Sequence, residues 1–281
     1  MENFKNKTAF ITGAASGIGF AIAKAFAGAG THVMLADINA DALQDAAKTI
    51  TDNYSVDVDI ATVDTASAES VKSAVEAAIA RFGTVHFLIN NAGVSLAGRP
   101  GSIPLDDWRW IVDINLLGLV YGVEAFVPHM LSHGEGGHIV NTASMAGHMA
   151  MGGMAPYHAT KFAAVGYSES LAQELIPKGI GVSVLCPTWV KSNIHNTSDA
   201  RPTADNAKAN PTKASPLYQE IKSLVENGME PETLAALVLK SIAAKRFYIF
   251  NDPEARPMID VRRDLILKDY DACLKDLGMG R

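Results

Sequence analysis

The feature that most constrains this chain is an alternation. Short β-prone runs and longer helical runs succeed one another through the first 190 residues, and a glycine-rich turn directly follows the first run. Residues 8–12 read as a strand and about 18–29 as an alanine-rich helix. Residues 32–36 read as a strand, 40–50 as a helix, 56–63 as an alternating third strand, 68–82 as a helix and 85–89 as a fourth strand. A long helix over about 105–130, a strand at 138–142, a helix over about 157–175 and a strand at 181–186 complete the series. Each crossover is long enough to hold a helix, so successive strands run parallel and helices cover both faces. The expected fold class is α/β: a doubly wound parallel sheet in one domain spanning 1–281. Ligands bind such sheets beyond the carboxyl ends of the strands, where Thr12, Asp37, Asp64, Asn91, Ser144 and Pro187 all fall.

Composition narrows the partners. A hydrophobic content of 48% over 281 residues suffices for a sizeable core. The net charge of −6 argues against nucleic acid or an anionic membrane and for a small-molecule substrate. Cys186 and Cys273 lie far apart in a thiol-poor chain, which points to a reducing, cytoplasmic setting without a disulfide framework. The first residues carry no long apolar signal core. The apolar stretch 110–127 contains Asp113, Asn115 and Glu124, so it reads as a buried helix and not a membrane span.

The glycine turn has a phosphate-binding logic. Gly13, Gly17 and Gly19 let the backbone approach a pyrophosphate, while the helix starting near Ile18 offers unpaired N–H groups and a partial positive charge. Asp37 ends the second strand, where a carboxylate accepts hydrogen bonds from ribose hydroxyls and repels a 2′-phosphate. Neither Ser16 nor Ile38 supplies the positive charge such a phosphate would want, so NAD is favoured over NADP. A helix N-cap is the competing role for Asp37. Further along, Tyr157 and Lys161 stand four residues apart and share a helix face, so an ammonium lies near a phenol and should draw its pKa down from about 10.

The run T-G-A-A-S-G-I-G at 12–19, N-N-A-G at 90–93, Asn115, Ser144 and Y-H-A-T-K at 157–161 resemble the short-chain dehydrogenase/reductase family over roughly residues 7–192. The resemblance implies a Rossmann-like NAD(P) enzyme acting on CH–OH groups. It implies Tyr157 as acid/base, Lys161 lowering the tyrosine pKa and holding the nicotinamide ribose, and Ser144 bonding the substrate oxygen. Asn115 would distort the long helix and anchor a water leading from Lys161 to solvent. Asn91, Ala92 and Gly93 would lie along the adenosine, with Asp64 and Thr65 near the adenine; Asp64 also reads as a turn into a helix. Pro187, Val190 and Ser192 would flank the nicotinamide. The run C-P-T-W-V-K-S-N departs from the family: Thr188 stands where a glycine is usual. Family members pair as homodimers or homotetramers.

For substrate, Met145, Met149, Met151 and Met154 crowd the segment between Ser144 and Tyr157, and with Trp189 they suggest an adaptable apolar pocket. Residues 190–216 read as a substrate lid, with His195 facing substrate or solvent. His133, His138, His148 and His158 read as turn and surface residues, and no metal is inferred. Residues 231–244 read as a helix, 247–250 as a last strand, and 254–281 as a C-terminal extension with a charged helix over 260–277. G-G-H-I-V-N-T-A-S-M-A-G and K-S-N-I-H resemble, loosely, the Cα-dehydrogenases of lignin-derived aryl-ether alcohols. The expected activity is NAD-dependent interconversion of a secondary alcohol and a ketone, bulky apolar or aromatic. The alternatives are an NADP-preferring carbonyl reductase and, in other classes, a catalytically silent nucleotide-sensing regulator or a methyltransferase; the last leaves Ser144, Tyr157 and Lys161 unexplained.

Overall fold

The computed structural model describes residues 4–203 and 216–279. Its strands are β1 (Thr8–Thr12), β2 (His32–Asp37), β3 (Val58–Thr62), β4 (Phe87–Asn90), β5 (Gly137–Thr142), β6 (Ile180–Cys186) and β7 (Tyr248–Phe250). They form one sheet in the order β3-β2-β1-β4-β5-β6-β7, with every neighbouring pair parallel. The chain order reverses between β1 and β4, the switch point where such sheets bind ligands.

The helices are α1 (Gly17–Gly28), α2 (Ala40–Asn53), α3 (Ala68–Phe82), α4 (Leu105–Val112), α5 (Gly118–His133), α6 (Ala155–Leu175), α7 (Pro216–Glu226), α8 (Pro231–Ala243) and α9 (Arg256–Asp276). α1, α2 and α8 cover one face of the sheet, where Phe4, Ile22, Phe26, Leu43 and Leu234 are buried. α3, α5 and α6 cover the other around Phe10, Val123, Phe126 and Leu175. The Phe10 and Phe126 rings meet at 4.9 Å through the sheet face, and truncating Phe126 to alanine would cost about 3–5 kcal/mol. By length and apolarity Leu105–His133 would suit a membrane, but Leu119, Val123, Phe126 and Met130 pack its inner face into this core.

Four elements refine the sequence reading, the first of them where the resemblance implied a distortion at Asn115. The long helix is interrupted by a π turn at Asp113–Leu117, centred on Asn115. α6 starts at Ala155, because the fixed φ of Pro156 suits a first helical turn. Pro257 does the same for α9, which begins at Arg256 instead of 260. Within the 190–216 segment Val190 pairs with Met229, Ile194–Ala200 is a 3-10 helix, residues 204–215 lie outside the described residues, and α7 begins at Pro216.

Candidate active site

At the switch point the glycine turn is clamped by its neighbours. Thr12 Oγ1 accepts the N–H groups of Asn91 and Ala92 at 2.9 and 3.1 Å, and Asn91 Nδ2 donates to the carbonyls of Thr12 and Gly13 at 3.1 and 3.3 Å. Gly13 and Gly17 adopt φ of +64° and +54°, which L side chains rarely do. A Cβ on Gly13 would stand 2.9 Å from Asn91 Nδ2, and one on Gly17 would stand 3.3 Å from Ser192 Cβ. A methyl on Gly19 would run into the Gly13 carbonyl. Ser16 caps α1 without a side-chain bond, and no acid lies in the first turn. The N–H groups from Gly17 and Ile18 onward are thus left for an anion.

Asp37 faces this turn. Its two oxygens accept the N–H groups of Ala15 and Asn39, each at 3.1 Å. The cap of α2 is Asn39, which accepts from Ala42 N–H at 3.1 Å, so Asp37 is free of the capping role. Ile38 beside it is 70% exposed, a flat apolar edge for a base to lie on. Asp64 Oδ1 accepts Ala66 N–H at 2.9 Å and its own N–H donates to Ser70 Oγ at 3.1 Å, a turn into α3. Thr65 lines a small polar cavity with Asn90, Asn115 and Thr142.

On the other side of β4, Lys161 is buried and its ammonium donates to the Thr142 carbonyl at 2.9 Å. The ammonium lies 5.6 Å from the centre of the Tyr157 ring. Burial pulls Lys161 down to about 8. Burial also pushes Tyr157 up, with hydrogen bonding to Ser144 drawing it partly back. Loss of hydration is thus the larger influence on the phenol and the Ser144 bond the smaller. Ser144 Oγ donates to the Pro187 carbonyl at 3.3 Å and accepts Ala146 N–H at 3.1 Å. Asn115 closes the back of the group: its Oδ1 accepts Val94 N–H at 2.8 Å, and its Nδ2 donates to the Val94 carbonyl at 2.9 Å and to Thr160 Oγ1 at 3.2 Å. Its amide is therefore spent on protein partners. Gly93 leaves room in front, since a Cβ there would stand 3.3 Å from Asn115 Oδ1 and 3.5 Å from Lys161 Nζ.

The strap from Pro187 to Ser192 crosses above the glycine turn and is held from outside. Thr188 donates through both N–H and Oγ1 to Asn251 Oδ1, at 2.9 and 3.2 Å. Met229 N–H donates to the Trp189 carbonyl at 2.9 Å, and Lys191 N–H to the Met229 carbonyl at 3.0 Å. The threonine in the usual glycine position thus gains an anchor. Asn251 was missed from sequence, although N-D-P directly after the last strand is one more strand-end polar residue.

The predicted pocket residues separate. Met154 and Trp189 join Tyr157, Ile194, Leu217 and Ile221 in an apolar cluster under α7. Met145 is buried elsewhere, its N–H donating to the Pro187 carbonyl at 2.8 Å, and Met151 is 43% exposed. His195 packs edge-on against Tyr218 of α7. His158 and His138 are buried and not surface residues. His158 Nδ1 lies 2.9 Å from the Ala146 carbonyl, and its Nε2 accepts Met151 N–H at 3.1 Å, pinning the methionine segment. The stretch after Ile194 is also tied down, because Asp107 accepts Thr203 Oγ1 at 2.7 Å and faces Arg201 Nε at 3.3 Å, both charged side chains almost fully buried.

Residues 7–203 match the short chain dehydrogenase family. The chain is 38% identical to a "CLA biosynthesis dehydrogenase/reductase" of Lactiplantibacillus plantarum, covering 96% of each chain. It is 35% identical to a "C alpha-dehydrogenase" of a Sphingobium species, over 91% of this chain and 84% of the relative. A short chain dehydrogenase/reductase from Burkholderia phymatum, solved in complex with NAD, superposes with a TM-score of 0.90 at 34% identity, covering 96% of this chain and 97% of that one.

Proposed function

The chain belongs to the short-chain dehydrogenase family, and from that premise we propose that it is an NAD-dependent oxidoreductase interconverting a secondary alcohol and a ketone, bulky and apolar or aromatic. The observation that carries this reading is the meeting of Ser144, Tyr157 and buried Lys161 beside the clamped glycine turn. The residues fit the cofactor. Gly13, Gly17 and Gly19 let the turn close against Asn91, Ser192 and itself where a Cβ would crowd those neighbours, the start of α1 has unspent N–H groups, and the Asp37 carboxylate stands at the turn to meet ribose hydroxyls. Ile38 would border the base, with Asp64, Thr65, Asn91, Ala92 and Gly93 along the adenosine. Bound NAD supplies the hydride acceptor for the alcohol or, reduced, the donor for the ketone.

The chain's own groups handle the proton. Tyr157 Oη takes a proton from the alcohol oxygen or gives one to the ketone oxygen. Burial holds the phenol neutral, as ketone reduction requires. In the reverse direction the Lys161 ammonium and the Ser144 hydroxyl stabilise the phenolate and the substrate oxygen. Ser144 is a rotor whose present acceptor is the Pro187 carbonyl, so its proton can turn to substrate at little cost. Lys161, at about 8, can pass a proton near neutral pH, and it keeps the ribose within reach of its ammonium. Asn115 positions the Val94 backbone and Thr160, which borders Tyr157. Pro187, Val190 and Ser192 present the strap to the nicotinamide.

Met154, Trp189 and Ile194 supply apolar area on the Tyr157 side, which supports a bulky substrate. We assign the protein to the cytoplasm as a homo-oligomer on the same family grounds. A panel of aryl and alicyclic secondary alcohols, read by NADH absorbance, tests the proposal together with Tyr157→Phe. Turnover should fall at least about tenfold in that variant while NADH binding stays within about twofold. A variant retaining wild-type turnover, or a wild type that reduces no NAD with any alcohol, would overturn it.

A further inference from the structure

The end of the sheet opposite the glycine turn carries three histidines in contact. His86 stands just ahead of β4, and His129 and His133 lie one turn apart at the end of α5. The centre of the His133 ring is 5.5 Å from that of His86 and 5.1 Å from that of His129. Each ring accepts a backbone N–H through one nitrogen. His86 Nδ1 accepts from Thr8 at 3.2 Å, His129 Nε2 from Val85 at 3.1 Å, and His133 Nδ1 from Glu135 at 3.1 Å. Thr8 opens β1, while Val85 and Glu135 each stand two residues ahead of their strands, β4 and β5. A neutral imidazole with one nitrogen accepting carries its hydrogen on the other, so no lone pair remains for a metal ion.

We propose that His86, His129 and His133 form an acid-sensitive clasp on the amino ends of β1, β4 and β5, closed while the rings are neutral and opened when they take up protons. A second proton on any of these rings can go only to the nitrogen that now accepts, which turns that nitrogen into a donor facing another donor. The solvent supplies the proton, and the displaced N–H passes to water. Because His133 touches both other rings, a charge on one ring repels a charge on the next. β1 and β4 run from this clasp to Thr12 and Asn90 in five and four residues. The clasp does not depend on the reaction assigned to the site.

The charged groups facing the cluster are Lys7, ahead of β1, and Glu135, in the turn after α5. Glu135 Oε2 accepts from Lys7 Nζ at 2.9 Å and lies 3.0 Å from His86 Nε2, which carries the hydrogen because Nδ1 accepts from Thr8. The Lys7 bond, and after it the His86 bond, holds Glu135 at about 2, so this carboxylate stays charged while the histidines titrate. Burial is the largest influence on His86 and lowers it from 6.5; the Glu135 bond pulls it up, and Lys7 and His133 push it down. His129 is lowered by burial and then by His133. With both depressed, the open form binds protons first as the pH falls, so the clasp is complete above about 6.5 and weakens below it.

Amide hydrogen exchange on the full chain, resolved to single residues and corrected for the intrinsic pH dependence of exchange, tests the proposal. One depressed ring changes the opening equilibrium about tenfold per pH unit below 6.5. The protection factors of the Thr8 and Val85 N–H groups should therefore fall about tenfold or more between pH 7.5 and 5.5, with Glu135 N–H following over the same range. The triple variant His86→Asn, His129→Gln and His133→Asn keeps at each position an acceptor that cannot titrate, and there the fall should shrink below about twofold. His138→Gln removes a buried histidine outside the cluster and should leave the fall in place, which separates local opening from a general loss of stability. Should the triple variant not fold, the ¹⁵N resonances of labelled histidine in the wild type decide. His86 and His133 should be Nε2–H tautomers and His129 an Nδ1–H tautomer at pH 7.5, each gaining its second proton only where its amide partner loses protection. Protection that holds within about twofold down to pH 5.5, a triple variant that keeps the fall, a His138→Gln that abolishes it, or a doubly protonated ring beside a protected amide would overturn the proposal.

Discussion

Asp37 should set the cofactor preference, and its two backbone bonds make the effect separable from stability. Each oxygen accepts one N–H at 3.1 Å, from Ala15 in the glycine turn and from Asn39 at the start of α2. A 2′-phosphate brought within about 5 Å of this carboxylate carries close to two charges. At an effective dielectric of about 40, between the surface value and that of water, the repulsion is roughly 3 kcal/mol, about a hundredfold in kcat/KM. Asp37→Asn removes the charge and keeps one side-chain acceptor, so the NADP-to-NAD ratio of kcat/KM should rise about 30- to 100-fold with little change in melting temperature. Asp37→Ala also releases the Ala15 N–H and loosens the turn that both cofactors use, so kcat/KM should fall for both by a further factor of about ten. Initial rates from NADH and NADPH absorbance decide the matter. A change of less than about threefold in the ratio for Asp37→Asn would refute the electrostatic reasoning, and equal loss of both cofactors in the two variants would make Asp37 a turn residue only.

Three further outcomes follow from neighbouring contacts. Asn251→Ala frees both Thr188 donors, so the KM for NAD should rise about fivefold or more with kcat changing less, whereas Asn251→Asp, which keeps the acceptor, should recover most of the loss. Met154→Ala removes apolar contact worth about 1–3 kcal/mol beside Tyr157, so kcat/KM should fall far more for a bulky alcohol than for a small one; equal losses with a lowered melting temperature would make Met154 core packing. Burial lowers His138 from 6.5 to about 4. The unfolded chain then takes up this proton first as the pH falls, so the stability present above about 6.5 is lost down to about 4, on the order of 3 kcal/mol. Urea titrations between those pH values should show that loss shrinking in His138→Gln.

The alternation of strands and helices was legible because period and length separate the two, and the parallel run of the strands followed from long crossovers. The sequence also led to the groups around the switch point, since Thr12, Asp37, Asn91 and Ser144 stand at strand ends. Two things escaped, and the distortion at Asn115 was legible only through the resemblance. The π turn at Asn115 is set by the fit of its amide to Val94, a partner 21 residues away that no periodicity reports. His158 and His138 read as surface residues because a lone histidine gives no sign of whether backbone or hydroxyl partners await it in the interior; His138 finds Ser183 at 2.7 Å. α7 received no reading, because its apolar face, Ile221 and Val225, packs against the small cluster around Met154 and not against the main core. Around Tyr157 spacing likewise reveals the neighbouring charge but not the depth of burial.

The strap from Pro187 to Ser192 is braced by Met229 and Asn251, both of which lie beyond residue 203, outside the stretch that matches the family. A chimera that grafts a foreign segment after residue 203, in order to import another substrate range, would therefore exchange the brace as well. Such a graft would alter cofactor affinity without touching a residue of the glycine turn. Its designers would do best to carry Met229 and Asn251 across with the parent strap.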